Sequence, residues 1–250
     1  MVSPVEFRAR IADFYRFSKE ELIGLLAAVL FAGFIFSFRD WGDQQFDLVI
    51  GLIHLFTMFS IAFLSFWVHL SCQKLYGLSQ GYLVEFRLWW TGLFISLIFA
   101  FFSFGYIPLV LIGGVFASFM VRQRLGEFRY GFSYPENGII AMWGPLGNLI
   151  LAIFFAIGAY ALPQNYFFHK GLIFNLIMAG CSLIPLPQLD GLSVYFGSRF
   201  WYLVMIIAVG LSVILLWLLP QVGLGKFGLI TAVVIAVIVS IVTLLVSSEK

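Results

Sequence analysis

Three polar side chains with ligand or nucleophile chemistry interrupt a long apolar stretch in the first third of the sequence. His69, Cys72 and Gln73 lie together in HLSCQ, and most residues upstream of them are apolar. On a helix, residues i and i+4 share one face, so His69 and Gln73 project together with Cys72 beside them. Two histidines at this spacing, combined with a distant carboxylate, form a known zinc-binding arrangement. Here a glutamine amide, which is a weak and neutral ligand, stands at the second histidine position.

A carboxylate that could complete such a site lies in the stretch IPLPQLDG, residues 184–191. Its two prolines break the hydrogen bonding of the preceding helix, and Asp190 follows them. A broken helix within a membrane is found where the backbone lines a cavity or is covered by protein, and an intramembrane carboxylate indicates a functional site. His69 and Asp190 are therefore candidate metal ligands, with Cys72 or Gln73 as the candidate third.

The composition places most of the chain in a lipid bilayer. Hydrophobic residues make up 62% of the 250 residues and charged residues only 10%. Soluble domains carry about 25% charged residues, so lipid must be the solvent for most of this surface. The net charge is +2, and the sequence has no basic run suited to a phosphate backbone. A nucleic-acid partner is therefore not expected.

The hydropathy pattern predicts an all-α transmembrane bundle with about six spans and a re-entrant or short-helix hairpin. Residues 1–19 form an N-terminal segment, and residues 20–246 form a single membrane domain. Ser18 and Glu21 have the spacing of a capping box at the first span. The hairpin is predicted at 88–121. The spans are predicted at 20–38, 47–76, 138–161, 171–187, 200–219 and 225–246.

The distribution of basic residues predicts a multi-pass protein of the cell membrane with a cytoplasmic N-terminus. If the hairpin returns to the side from which it starts, eleven of the 14 Lys and Arg residues lie on the cytoplasmic side. Three of these arginines fall in a polar loop predicted at 122–137. Residues 78–87, before the hairpin, are predicted to form a short strand or an interfacial turn.

Three stretches, taken in order, resemble the site-2 protease family of intramembrane zinc metalloproteases. HLSCQ at 69–73 occupies the place of the family's H-E-x-x-H motif. ENGIIAMWGPLGNLILA at 136–152 resembles its Gly-Pro-x-x-Asn helix, with Asn148 as the asparagine. NLIMAGCSLIPLPQLDG at 175–191 resembles its Asn/Pro/Asp-Gly segment. The resemblance covers about residues 47–205.

The resemblance implies a zinc ion held by His69, Asp190 and a second histidine, with a glutamate as general base. This sequence departs from the pattern at two of these positions, because Gln73 replaces the second histidine and Leu70 replaces the glutamate. A leucine side chain cannot accept a proton from water, and a general base contributes about 10²–10⁴-fold to a rate. The departures therefore favour a protein with no catalytic residues and no bound zinc.

We accordingly expect a site-2-protease-like membrane protein that is not an active protease and that binds or regulates transmembrane helices of other proteins. One alternative is an active intramembrane zinc metalloprotease with altered ligands, in which Cys72 or Cys181 supplies a thiolate. A second alternative is an ion transporter or channel that uses Asp190 and the broken helix as its ion site.

The same side chains also have structural interpretations. His69 and Gln73 could form hydrogen bonds between helices. Asp190 could cap the helix that follows the prolines. The resemblance implies that Asn148 and Asn175 position substrate, but the interpretation that both asparagines hold helices together is favoured.

Overall fold

The computed structural model describes residues 4–42, 46–119 and 133–248. Two strands lie in these ranges, β1 (Tyr82–Leu88) and β2 (Gly113–Phe119). The helices are α1 (Pro4–Phe14), α2 (Lys19–Ser37), α3 (Leu48–Gln80), α4 (Trp90–Phe102), α5 (Tyr134–Ala161), α6 (Tyr166–Ser182), α7 (Asp190–Gly197), α8 (Arg199–Val213), α9 (Leu219–Gln221) and α10 (Gly225–Ser248). A π-helical turn, Ile214–Leu218, joins α8 to α9 as one continuous helix.

Within these described ranges, four helices are long and apolar enough to cross a membrane. They are α2, α3, α5 and the continuous helix Arg199–Gln221. The predicted helical membrane character is therefore confirmed. The predicted number of about six spans is not confirmed, because only these four helices among the described residues meet both conditions.

The segment predicted as a hairpin of helices folds as one helix followed by one strand. After α4 the chain turns at 103–107 and then enters β2, which pairs with β1 in antiparallel register from Tyr82↔Phe119 to Leu88↔Gly113. The all-α prediction therefore needs a correction, since the bundle carries a two-stranded sheet. The strand predicted within 78–87 is confirmed, although α3 first continues to Gln80. Most of the loop predicted at 122–137 lies outside the described residues.

Side chains that the sequence places at the helix ends fix where α2 and α3 begin. The predicted capping box is confirmed, because Ser18 Oγ accepts from the Glu21 N–H at 3.1 Å and the Glu21 carboxylate accepts from the Ser18 N–H at 2.8 Å. Asp47 caps α3 by accepting two backbone N–H groups of its first turn, at 2.9 and 3.1 Å. Gly81 ends α3 with a φ of 85°, a left-handed conformation that suits glycine and turns the chain into β1.

A buried ion pair covers the outer edge of β1. Lys74 Nζ lies 2.7 Å from Glu21 Oε1, and both side chains are buried. Lys74 also donates to the Val84 carbonyl at 2.8 Å, and Glu21 accepts from the Phe86 N–H at 2.8 Å. These are the backbone groups with which β1 would otherwise pair to a further strand, so the ion pair closes this edge.

We expect Glu21→Gln to lower the free energy of unfolding by about 2 kcal/mol, because the amide no longer offsets the buried Lys74 charge. Glu20→Gln, at the exposed neighbouring position, is the matched control and should change this free energy by less than about 0.5 kcal/mol. Thermal unfolding in detergent, followed by tryptophan fluorescence, measures both changes. Equal shifts for the two variants would contradict a role for the ion pair.

Candidate functional site

The structure brings the imidazole of His69 and the carboxylate of Asp190 into direct contact. His69 Nε2 lies 2.9 Å from Asp190 Oδ2, although the two residues are 121 positions apart in the chain. Their side chains are 2% and 0% exposed. Burying a carboxylate is costly unless its oxygens are hydrogen-bonded, and this contact satisfies part of that need. The link joins α3 to the start of α7.

Gln73 adds a second donor to the same carboxylate oxygen. Its Nε2 donates to Asp190 Oδ2 at 2.9 Å and to the Ala141 carbonyl at 3.0 Å. That carbonyl is free because Pro145, four residues later in α5, has no N–H to donate to it. The proline in α5 therefore creates the acceptor that orients the Gln73 amide towards Asp190.

The other oxygen of Asp190 is held by strand β2. The Val115 N–H donates to Asp190 Oδ1 at 3.3 Å. Gly114 makes this approach possible, because a Cβ at that position would lie 2.9 Å from the Gln188 carbonyl oxygen and 3.1 Å from Asp190 Oδ1. The carboxylate thus accepts three hydrogen bonds, from α3 twice and from β2 once.

Asn148 completes the network on the far side of the imidazole. Its Nδ2 lies 3.1 Å from His69 Nδ1. Because Asp190 can only accept, we assign the imidazole proton to Nε2, which leaves Nδ1 as the acceptor from Asn148. The Asn148 and Gln73 side chains are fully buried, and the oxygens Asn148 Oδ1 and Gln73 Oε1 have no hydrogen-bond partner among the described residues.

The other residues predicted for the site form no hydrogen bond to this network among the described residues. Leu70 is 2% exposed and belongs to the apolar core. Cys72 packs on α5, where a Cβ added to Gly147 would lie 2.8 Å from its sulfur. Asn175 donates to Ser65 Oγ at 3.0 Å and so ties α6 to α3. Cys181 is buried in the apolar core.

The structure agrees with the structural interpretation of His69 and Gln73 but not with that of Asp190. His69 and Gln73 do form hydrogen bonds between elements, as that interpretation predicts. The interpretation of Asp190 as a helix cap is wrong, because Leu189 is the N-cap of α7 and no side-chain cap bond is present there. Asp190 is instead the first residue of α7, and its oxygens turn inward to His69, Gln73 and Val115.

The side chains present do not fit a catalytic zinc site. Such a site has about three protein ligands and an open position for water. His69 and Asp190 supply two strong ligands, but Gln73 turns its NH₂ group, which cannot bind a metal, towards the carboxylate. Among the described residues there is no group of three His, Cys, Asp or Glu side chains that could hold an ion.

Gly144 lets α3 approach α5 at this site. A Cβ there would lie 2.4 Å from His69 Nε2 and 2.5 Å from Gln73 Nε2. We expect Gly144→Ala to lower the free energy of unfolding by about 2 kcal/mol, because the added methyl group forces the polar side chains apart.

The matched control for that variant is Gly210→Ala in α8, where an added Cβ meets no atom within 4 Å. This control should raise the same free energy by roughly 0.5–1 kcal/mol, the usual gain from alanine in a helix. Unfolding in detergent measures both, and changes of the same sign would contradict the packing described for Gly144.

Sequence comparison gives one significant relationship to a curated protein. No protein-family model matches the chain, and no solved structure matches it. A protein of Methanocaldococcus jannaschii, described as "Putative zinc metalloprotease", is 29% identical over 201 residues, which cover 78% of this chain and 94% of the relative. The chain is thus similar to a protein described as a zinc metalloprotease, and its four apolar helices fit a membrane protein.

Proposed function

We propose that this chain is a site-2-protease-like membrane protein that does not hydrolyse peptides and that binds the transmembrane segments of partner proteins. The observation that carries the proposal is the hydrogen-bonded network of His69, Asp190 and Gln73, in which a glutamine donates to the carboxylate at the position of a third ligand. The residue after His69 is a buried leucine, so no general base follows the imidazole.

The geometry of β2 supports a binding role for the region beside this network. The N–H groups of the paired residues Phe86 and Val115 both donate to side chains, which makes this a non-hydrogen-bonded pair of the ladder. Ala117 lies two residues after Val115 and faces Val84 in another non-hydrogen-bonded pair. The N–H and carbonyl of Ala117 therefore point away from β1. An extended partner segment could pair there, whereas the Glu21–Lys74 ion pair closes the other edge of the sheet.

The test uses the purified full chain and a fluorescent peptide with a span of about 20 apolar residues followed by a Val/Thr-rich tail. We expect the peptide to bind, measured by fluorescence anisotropy, and to remain intact with added zinc, measured by mass spectrometry. A peptide with a Gly/Ser/Pro tail should bind more weakly because that tail does not favour an extended strand.

Ala117→Pro should weaken binding of the Val/Thr-tailed peptide about tenfold, since it removes the N–H that a partner strand would use. Ala117→Val, which keeps the N–H, is the matched control and should bind as the unaltered chain does. Failure to bind either peptide would contradict the proposed function. Cleavage of the peptide that Asp190→Asn abolishes would instead support the alternative, an active metalloprotease with altered ligands, which the description of the archaeal relative favours.

A further inference from the structure

A cavity of about 450 Å³ lies at the C-terminal end of α5, beyond the His69 network along this helix. It is a partly open cavity lined by the end of α5, the first half of α6, the π-helical turn, α9 and the start of α10, and its walls are mainly apolar. This volume falls within the range of about 300–1,000 Å³ that is usual for small-molecule sites. The cavity therefore has room for a ligand, and we name it the α6–α10 cavity.

The backbone of the π-helical turn contributes to the shape of this space. A π-turn inserts an extra residue into a helix, and such turns often mark functional sites. Leu215 and Leu216 of the turn line the cavity, whereas Gly228 of α10 packs so closely on the turn that a Cβ there would lie 2.1 Å from the Leu215 carbonyl oxygen. α10 is thus held tightly against the π-helical turn at this point.

The polar groups of the cavity are gathered at one end. Tyr160, His169 and Gln221 line it and lie at the end of α5, the first turn of α6 and the last residue of α9. Ala156 and Leu229 line it about one turn further into their helices. The polar side chains of the cavity therefore lie at the helix ends, and its apolar walls lie further along the helices.

A cation stands beside this polar end. Lys226 Nζ lies 5.9 Å from the centre of the Tyr160 ring, and within the described part of the chain it forms no ion pair. The surrounding surface faces lipid, because Phe227 and Ile230 of α10 are more than half exposed and apolar. A ligand that enters from this surface would place an acyl chain in the cavity and an anionic group at Lys226.

We infer that the α6–α10 cavity binds one acyl chain of an anionic phospholipid, with the headgroup phosphate held by Lys226. The Tyr160 hydroxyl and the Gln221 amide lie where they can donate to the headgroup, and Ala156, Ala159 and Leu229 contact the chain. The site is separate from the His69 network and does not depend on the proposed function.

Native mass spectrometry of the full chain in detergent, titrated with phosphatidylglycerol or phosphatidylcholine, tests this inference. We expect the first phosphatidylglycerol molecule to bind about fivefold more tightly than the first phosphatidylcholine, the factor that one basic residue near a membrane surface contributes. Lys226→Gln should abolish the preference. Arg199→Gln is the matched control, because Arg199 stands over the Tyr195 ring at the other end of α8 and does not line the cavity.

A cavity-filling variant tests the position of the acyl chain. Ala159→Phe should weaken the first binding of both lipids, whereas Ile230→Phe, on the exposed face of α10, should not. Equal binding of the two lipids by the unaltered chain would overturn the assignment of Lys226. Tight lipid binding that persists in Ala159→Phe would overturn the assignment of the cavity. If Ala159→Phe does not fold, the surface variant Lys226→Gln still decides the outcome through the loss or retention of headgroup preference.

Discussion

Gln73→His is expected to make the protein bind zinc roughly 100-fold more tightly than the unaltered chain does. Residues that hydrogen-bond to a metal ligand, without binding the metal themselves, change metal affinity by about 10–100-fold. A third residue that binds the metal directly should contribute at least as much. The geometry favours this change, because Gln73 Nε2 already lies 2.9 Å from Asp190 Oδ2 and shares that oxygen with His69 Nε2. An imidazole at this position reaches about as far from the backbone as the glutamine amide does.

The measurement is isothermal titration of the detergent-solubilised protein with zinc, together with the metal content of the dialysed sample. Gln73→His combined with Asp190→Asn is the control, because it keeps the new imidazole and removes the charged ligand. The unaltered chain is expected to retain no stoichiometric zinc. If Gln73→His binds no more zinc than the unaltered chain, the convergence of His69 and Asp190 on an ion-sized site would be contradicted.

Leu70→Glu added to Gln73→His tests whether proton transfer can be restored. Leu70 lies in the apolar core, so a glutamate there must either bind a neighbouring polar group or shift the surrounding side chains. We expect zinc binding to persist, because Leu70 is not a ligand, and peptide cleavage to appear only in this double variant. Cleavage by Gln73→His alone would show that the general base lies elsewhere.

The four helices long enough to span a membrane could be predicted from the sequence because each has a strong local signal. Apolar runs of about 20 residues specify membrane helices with little help from tertiary structure. The capping box at Ser18 and Glu21 is equally local. His69 and Asp190 could be paired through the order and spacing of three short stretches, although neither residue reveals its partner through its own neighbours.

The features that could not be predicted from the sequence depend on contacts between elements that are distant in the chain. β2 has the sequence GGVFASF, and seven mostly apolar residues are too few to separate a strand from a buried helix by periodicity. The hydrogen bond from the Val115 N–H to Asp190 could therefore not be predicted, because it forms only where β2 passes the start of α7. The free Ala141 carbonyl, by contrast, is indicated by the sequence, because Pro145 four residues later has no N–H to donate to it.

Asp190→Ala is expected to lower the free energy of unfolding by about 4 kcal/mol. The variant leaves the Nε2–H of His69, the Nε2 of Gln73 and the N–H of Val115 with one fewer acceptor in a buried site. A buried donor without a partner costs about 1–3 kcal/mol, and two of these three donors have no other acceptor among the described residues. Thermal unfolding in detergent, followed through the fluorescence of the seven tryptophans, measures the change.

Two control variants and a chelator separate the hydrogen-bond network from a metal site. Asp13→Ala, at an exposed position of α1, should change the free energy of unfolding by less than about 0.5 kcal/mol. Asp190→Asn keeps one acceptor oxygen and should cost about half as much as Asp190→Ala. Because His69 and Gln73 bind the carboxylate directly, EDTA should leave the unfolding temperature of the unaltered chain unchanged. A fall in that temperature with EDTA, restored by zinc, would show that an ion holds these side chains together.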